Sequence, residues 1–380
     1  MKRTAQRRVA ALVGAGHTHL HLVRQSAQLR SAGVDPVLIA PRRFHYSGLA
    51  TGVLSGDLEP EAAEIDVERL ARDCGVAYRP GRVVGIDRPD RRLILDTGEC
   101  LAFDAVSFNV GSEVADPWET HPALACWPVK PLTQLFALRR TLEAAAVTAG
   151  VAPTVVVAGG GQSGYEIAAA VTGLMERLRL RPRVFLVGAC TPAWGPAGAR
   201  DRLRGVLTER GVTIIDGVLT AQEPGQCRLA DGQRLPCDHL VWAVGLRPAT
   251  LIGILGLPLA DDGRLRLHST LTSIADDAVF GAGDCAVLDL APRPAAGVFG
   301  VRAAPILLNN LAALGDGRPV LAYRPQQTWL SIMDLGDGRG LAMRGSFWSL
   351  GRPALRLKRY LDRDFVRRMR AAPPTTGERP

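Results

Sequence analysis

Short runs of β-branched and small apolar residues alternate along this chain with polar stretches of helical spacing, the pattern of strands that feed into helices. Two of these runs lead directly into clustered glycines: Arg8–Val13 ends at Gly14, and residues 154–158 end at Gly159. Each glycine cluster is followed by an apolar-periodic segment. Strand, glycine turn and helix in that order open a doubly wound unit. Two such openings predict an α/β chain with two Rossmann-like dinucleotide-binding domains.

Between the units, Asp66 caps a helix carrying Val67, Leu70 and Cys74 on one face, and Gly75 stops it. Residues 82–87 and 91–95 read as strands joined by a turn at Pro89 and Asp90, and residues 105–110 form a strand ending at Gly111. Further strands are expected at 183–187, 212–215, 239–244 and 279–284, followed by a helix over 297–314 that Pro305 bends. The polar, proline-bearing residues 371–380 are expected to be disordered.

Of the 380 residues, 47% are apolar and 22% charged, enough for two or three domains with a substantial core. The formal charge of +9 suits a nucleic acid, an anionic membrane or an anionic dinucleotide and does not choose among them. No basic recognition motif accompanies it, and only 5% of residues are aromatic, so no nucleic-acid partner is expected. Seven cysteines without a CxxC pair fit a reduced, cytoplasmic setting. The basic start followed by an apolar run imitates a secretory signal, but the run is short and flows into the glycine turn, so it reads as the first strand. No run reaches the roughly 20 apolar residues of a bilayer span. The nearest, 249–260, is short and contains Pro258. A soluble or peripheral protein is expected.

In Gly14-Ala15-Gly16-His17-Thr18-His19, the first glycine permits a tight turn and the second lets a pyrophosphate approach backbone N–H groups at a helix start. The third fingerprint position holds His19, and the acidic residue usual after the next strand is replaced by Pro41 and Arg42. An ordinary strand-to-helix turn competes with nucleotide binding here. His17, His19 and His21 invite a metal reading, which the lack of an acidic or cysteine neighbour disfavours; no metal is expected. The second turn, Gly159-Gly160-Gly161-Gln162-Ser163-Gly164, carries all three fingerprint glycines and predicts a second dinucleotide. Its partner strand ends in Gly188 rather than a carboxylate, which leaves NAD against NADP open; Arg200 or Arg202 could take a 2′-phosphate. A third signal, Val279-Phe280-Gly281-Ala282-Gly283-Asp284, delivers a carboxylate at a glycine turn, where it can meet a sugar hydroxyl.

The ordered set of these turns, with Phe103-Asp104, Asn109-Val110-Gly111-Ser112 and Ala243-Val244-Gly245, resembles the pyridine nucleotide-disulfide oxidoreductase superfamily over nearly the whole chain. Gly14 to Leu20, Tyr46-Ser47-Gly48, Val129-Lys130-Pro131, the run from Ala296 to Arg302 and Asp362-Arg363-Asp364-Phe365 resemble the flavoprotein module fused ahead of selenophosphate synthetases, a group similar to type II NADH dehydrogenases. The synthetase itself is not expected, because the sequence closes soon after this portion.

The resemblance implies FAD held by Gly14, Gly16, His17, Thr18, Arg42, Val84 near the adenine, Asn109, Gly111, Gly283, Asp284 on the ribityl chain, and Gly297 and Val298 beside the flavin ring. It implies NAD(P)H held by Gly159, Gly161, Gln162, Gly164 and Gly245, and it places Glu166 near nicotinamide and flavin as the catalytic candidate. A local pairing role for Glu166 is the alternative. The domains implied are FAD-binding parts at 1–125 and 249–322, an NAD(P)-binding part at 126–248, a C-terminal segment at 323–370 and a tail at 371–380.

The function implied is NAD(P)H-dependent reduction of FAD, with a quinone or another small molecule as acceptor. A sulfide:quinone-type enzyme and a non-catalytic flavin module serving redox sensing or selenium handling are the alternatives. Thiol chemistry is disfavoured because no redox cysteine pair is evident and no cysteine follows Cys285. Cys126 and Cys190 read as buried apolar residues or surface thiols. Lys130, between two prolines, reads as a linker lysine rather than a flavin contact. Residues 346–369 mix aromatic and aliphatic side chains with seven cations; a docked helix with a solvated basic face is favoured over a membrane contact, because the apolar residues do not keep to one helical stripe.

Overall fold

The computed structural model describes residues 7–114, 125–149, 151–188 and 194–371; Cys190 and all of the 371–380 segment after its first residue lie outside them. Two parallel sheets organise the chain. The larger has eight strands, and five of them lie side by side in parallel, in the order Asp276–Gly281, Ala105–Phe108, Arg8–Val13, Val34–Ala40 and Ala77–Pro80. The smaller is parallel throughout, in the order Cys126–Pro128, His239–Trp242, Val155–Ala158, Val184–Val187 and Val212–Ile215. Ala10 to Val13 and Val155 to Ala158 are buried on both faces, as parallel strands covered by helices on each side must be. That explains their unbroken apolar runs.

The two links between the sheets pair with each other: Ser112–Val114 lies antiparallel to Leu246–Pro248. Glycine turns stand at the ends of the central strands of both sheets, and the helices His17–Arg24 and Gln162–Arg177 begin there. Helix Val67–Asp73 is capped by Asp66, whose Oδ1 accepts the Arg69 N–H at 2.9 Å.

Three expectations change. The strand expected at 279–284 is Asp276–Gly281, because Gly283 takes φ +73° and turns the chain into a short 3-10 segment, Gly283–Cys285. The helix at 297 runs on to Asp316, and by length and composition it is long and apolar enough to cross a membrane. Arg302, Pro305, Asn309 and Asn310 interrupt its apolar run in the sequence and masked that length. Here it is a core helix that buries Phe299, Ala303, Ala304, Leu307 and Leu311, and half of its apolar window is enclosed.

The third change concerns residues 346–369. They are not one helix but a strand, Phe347–Gly351, closing a three-stranded sheet, followed by the helix Arg352–Arg370. The helix buries Ala354, Leu355, Asp362, Val366 and Met369 on one face, while Leu357, Tyr360 and Leu361 stand exposed among the arginines of the other, so its apolar residues do not keep to one stripe.

Candidate functional site

Asn109 is the residue on which three distant segments meet. It is only 4% exposed; its Oδ1 accepts the backbone N–H groups of Thr18 (3.1 Å) and His19 (3.3 Å), and its Nδ2 donates to the Ala282 carbonyl (2.7 Å). The glycines around it are required by this closeness. A Cβ on Gly16 would lie 2.3 Å from Asn109 Oδ1, and one on Gly283 would lie 2.5 Å from Nδ2. Gly14, at φ +91°, would bring a Cβ to 2.6 Å from the Asn109 carbonyl. Thr18 Oγ1 then donates to the Gly300 carbonyl at 2.9 Å, fastening the first turn to the long helix.

His19 explains its own presence in place of a third glycine. Nδ1 lies 2.8 Å from the Gly14 carbonyl and Nε2 2.8 Å from Ser107 Oγ, so the ring fills the gap between helix and strand. Burial pushes its pKa down to about 4, which keeps it neutral. His17 is boxed by Phe44, Tyr46 and Phe365, with ring centroids 5.2 to 5.7 Å away, and a Cβ on Gly297 would lie 3.6 Å from its Cε1. Burial holds it near 4 as well, against the opposing pull of Asp284. The first turn and the start of the helix at Gly297–Val298 therefore face one another.

Asp284 Oδ2 accepts from Ser112 Oγ (2.9 Å) and Lys130 Nζ (3.0 Å), and Lys130 also donates to Ser112 Oγ at 2.6 Å. Lys130 is thus no linker lysine, because the chain crossing between the sheets carries it onto the carboxylate of the third turn. Gly111 adopts φ +74° beside this cluster, with open space where a Cβ would stand. Arg42 is held by Glu68 (3.1 Å) and Asp66 (3.7 Å). Val84 stands half exposed on Val83–Asp87, a strand of a separate three-stranded sheet.

At the second turn, Gly159 takes φ +138° and a Cβ there would sit 2.8 Å from the Ala243 carbonyl; one on Gly164 would sit 1.9 Å from the Gly159 carbonyl. Gly161 caps the helix and has open space around it. Gln162 Nε2 donates to Ser331 Oγ, and Gly245 (φ +69°) ends the neighbouring strand's loop.

Glu166 follows one turn along that helix. Its Oε1 accepts from Thr51 Oγ1 (3.1 Å) and the Asp334 N–H (2.9 Å), and burial pushes its carboxyl pKa up while Lys358 opposes. Lys358 Nζ donates to the Gly48 carbonyl (2.6 Å) and to Asp362 Oδ2 (3.0 Å), while Asp362 Oδ1 accepts from Tyr46 OH (2.8 Å). Tyr46 stacks on Phe365 at 4.7 Å beside His17. The C-terminal helix thereby links the surroundings of Glu166 to those of His17. Sequence reasoning noticed Tyr46-Ser47-Gly48 and Asp362 to Phe365 but gave them no role, and it passed over Lys358; only the helix packing joins them.

Cys227 and Cys237 are both buried in one apolar cluster with Leu229, Leu235 and Trp242. The chain therefore does bring two cysteines together, and their ten-residue separation hid the pair. Cys126 is half-buried.

The geometry suits two dinucleotides. Both turns present glycine backbone at a helix start, where N–H groups and the helix dipole favour phosphate. At the first turn, Asp284 adds a partly exposed acceptor for hydroxyl groups. A family model, described as pyridine nucleotide-disulphide oxidoreductase, matches residues 9–304. The chain belongs to this family.

Pyridine nucleotide-disulphide oxidoreductases use FAD and NAD(P)H, and this member is an oxidoreductase. It is 28% identical to an NADH dehydrogenase-like protein of Mycobacterium tuberculosis, over 91% of this chain and 88% of that one. It is 27% identical to the demethylphylloquinone reductase of Synechocystis, over 92% and 91%. Among solved structures, it is similar in fold to NDH2 of Plasmodium falciparum in complex with NADH (TM-score 0.79, 12% identity, covering 97% and 99% of the two chains). It is also similar to the sulfide:quinone oxidoreductase of Aquifex aeolicus (TM-score 0.78, 14% identity, 96% and 91%).

Proposed function

We propose that this oxidoreductase moves a hydride from NAD(P)H to FAD and passes the electrons on to a quinone, working as a peripheral protein on a membrane surface. The observation that carries the reading is the run of groups from Glu166 at the second glycine turn, which feels the charge of Lys358, through the Lys358–Asp362 pair and the Asp362–Tyr46 hydrogen bond to Tyr46 and His17 at the first. On this reading the portion built on the larger sheet takes FAD, and the portion built on the smaller sheet takes the nicotinamide nucleotide.

FAD supplies the chemistry, accepting two electrons from a hydride donor and returning them to an acceptor. Gly14 and Gly16 would hold the pyrophosphate end of the FAD, and Asp284, steadied by Lys130 and Ser112, would take the hydroxyls of its chain; Thr18, expected from the sequence to touch FAD, is buried and spends its N–H on Asn109 and its hydroxyl on the Gly300 carbonyl. The start of the Gly297 helix, which faces His17, would offer its positive end to the ring. Glu166, with a raised carboxyl pKa, keeps a proton at Oε2 more readily than an exposed glutamate does, and it can hand that proton to a reduced acceptor.

The acceptor assignment draws on the relative named for demethylphylloquinone reduction and on the outer surface of the C-terminal region. Phe347, Leu357, Tyr360 and Leu361 are exposed there among Arg352, Arg356, Arg363, Arg367 and Arg368. An apolar surface set among cations fits the interface of an anionic bilayer. Sulfide as donor is disfavoured: Cys285 is fully buried with its thiol pushed up to about 11, and no cysteine follows it in the sequence.

The test is anaerobic mixing of the FAD-loaded protein with NADH or NADPH, then with a soluble quinone. Bleaching of the flavin absorbance followed by its recovery supports the reading. No bleaching by either nucleotide at millimolar levels defeats it.

A further inference from the structure

We propose that Thr51 is the positioning residue that aims Glu166: its hydroxyl, together with the backbone N–H of Asp334, occupies Oε1 and leaves Oε2 as the oxygen that holds and delivers the proton. The inference rests on the reading above, that Glu166 serves a reduced acceptor. Thr51 Oγ1 donates to Glu166 Oε1 at 3.1 Å, and the Asp334 N–H donates to the same atom at 2.9 Å. Oε2 has no hydrogen-bond partner among the described residues, yet it is not one of the polar atoms sealed in the core without one. One oxygen is tied and the other is open.

The two donors are fixed by packing. Thr51 is buried on the short helix Ala50–Leu54, and a Cβ on the next residue, Gly52, would lie 2.9 Å from Leu58 Cδ1 and 3.6 Å from Asp334 Oδ2. That helix therefore runs close to the end of the strand Ser331–Asp334. The turn after Asp334 is wedged in place. Gly336, at φ +68°, would bring a Cβ to 3.0 Å from the Ala169 carbonyl and 3.3 Å from Ser55 Cβ, and a Cβ on Gly173 would lie 2.2 Å from the Gly336 carbonyl. Arg210 Nη1 donates to the Leu335 carbonyl at 2.6 Å, and Asp334 Oδ1 accepts the Gly336 N–H at 2.9 Å. Held this closely, neither donor can follow the carboxyl if it rotates.

The surrounding charges pull in opposite directions. A hydroxyl that donates to a carboxylate favours its ionised form, and so does the charge of Lys358, itself paired with Asp362 at 3.0 Å. Burial and the Asp334 carboxylate favour the protonated form. Arg359 lies 3.6 Å from Asp334 and, with Arg177, is bonded to Asp57. The carboxyl pKa stands above the usual glutamate value, so burial wins. Taking away the Thr51 hydroxyl removes one of the groups that oppose burial and drives the pKa higher still. Loosening of the junction does the reverse, because entering water returns a carboxyl toward its ordinary value.

The experiment is an infrared difference titration of the FAD-loaded protein between about pH 4 and about pH 9, following the protonated carboxyl band that Glu166→Gln removes. Thr51→Val is expected to raise the midpoint of that band by about half a pH unit to one pH unit, and Thr51→Ser to keep it within about 0.2 of the parent's. An unmoved or lowered midpoint in Thr51→Val overturns the assignment, the lowered one being what a merely structural role produces. So does a Thr51→Ser midpoint no closer to the parent's than that of the valine variant. If Thr51→Val does not fold, Thr51→Cys serves instead: its thiol is a weaker donor, and an unmoved midpoint there overturns the assignment equally. The pH dependence of quinone reduction separates this inference from the reading beneath it. A raised midpoint with an unchanged rate profile defeats Glu166 as the proton donor and leaves Thr51 as the group that aims it, whereas the absence of any band removed by Glu166→Gln defeats both.

Discussion

Lys130 and Asp284, 154 positions apart, meet at 3.0 Å where the chain passes between the two sheets, and Ser112 bonds to both. The lysine neutralises and orients the carboxylate that we assign to FAD. Asp284→Ala is expected to abolish FAD retention. Lys130→Met is expected to weaken it by about tenfold, in line with one charge-assisted hydrogen bond. Fluorescence of flavin released on dilution measures both; retention unchanged in Lys130→Met contradicts the role.

Asn109→Leu removes one acceptor used by two buried N–H groups and one donor to a buried carbonyl. Groups left unsatisfied in this way cost about 1–3 kcal/mol each, so a loss of roughly 3 kcal/mol of stability is expected. Gly16→Ala forces the same contact apart from the other side. Thermal unfolding of each variant, read with its FAD content, gives the result, and a melting temperature within a degree of the parent's would dismiss Asn109 as the fastening point.

Glu166 has a carboxyl pKa raised above the ordinary 4.5 by burial. A raised folded-state pKa means that the stabilising contribution is present in full below about 4.5 and is lost as pH rises through the higher folded value. The variant Glu166→Gln cannot ionise and is expected to show a flatter dependence of stability on pH above 4.5. Urea midpoints across pH 4 to 8, on the order of one reading per half unit, decide it; parallel slopes for parent and variant contradict the assignment.

Lys358 is almost enclosed. Burial draws its pKa down, but Glu166, Asp362 and Asp334 together hold it above the usual lysine value. Lys358→Met takes away the cation between Glu166 and Asp362 and leaves only Arg359, 3.6 Å from Asp334, beside these carboxylates. A loss of about 3 kcal/mol is expected, the usual cost of breaking a buried pair from one side. Tyr46→Phe, which removes only the hydroxyl bonded to Asp362, is expected to cost about 1–2 kcal/mol. Limited proteolysis of the Arg352–Arg370 helix reports the loosening directly, and equal resistance in Lys358→Met and the parent counts against it.

The glycine turns, the strands that deliver them and the Asp66 cap were legible because each is local: a positive φ, a close backbone approach or a cap imposes itself on neighbouring residues. The α/β class followed from the two repeated openings. Lys130 looked like a linker, Tyr46 and Asp362 had no assigned role, and Cys227 and Cys237 did not look like a pair, because the partners of all five are far away in the chain or across a strand pairing. Hydrophobic periodicity over 346–369 failed for a related reason. A strand of period two was read together with a helix of period 3.6, and the mixture hid where the helix begins.

By itself the sequence determined where the backbone must turn tightly and which runs must be buried, since those depend on a few adjacent residues. Only the tertiary structure decided which charges meet: Lys130 with Asp284, and Lys358 with Asp362 beside Glu166. It also decided that Thr51 and the Asp334 N–H share one oxygen of Glu166. Such contacts depend on how sheets and helices lie against each other, and that arrangement is set by packing the whole chain at once.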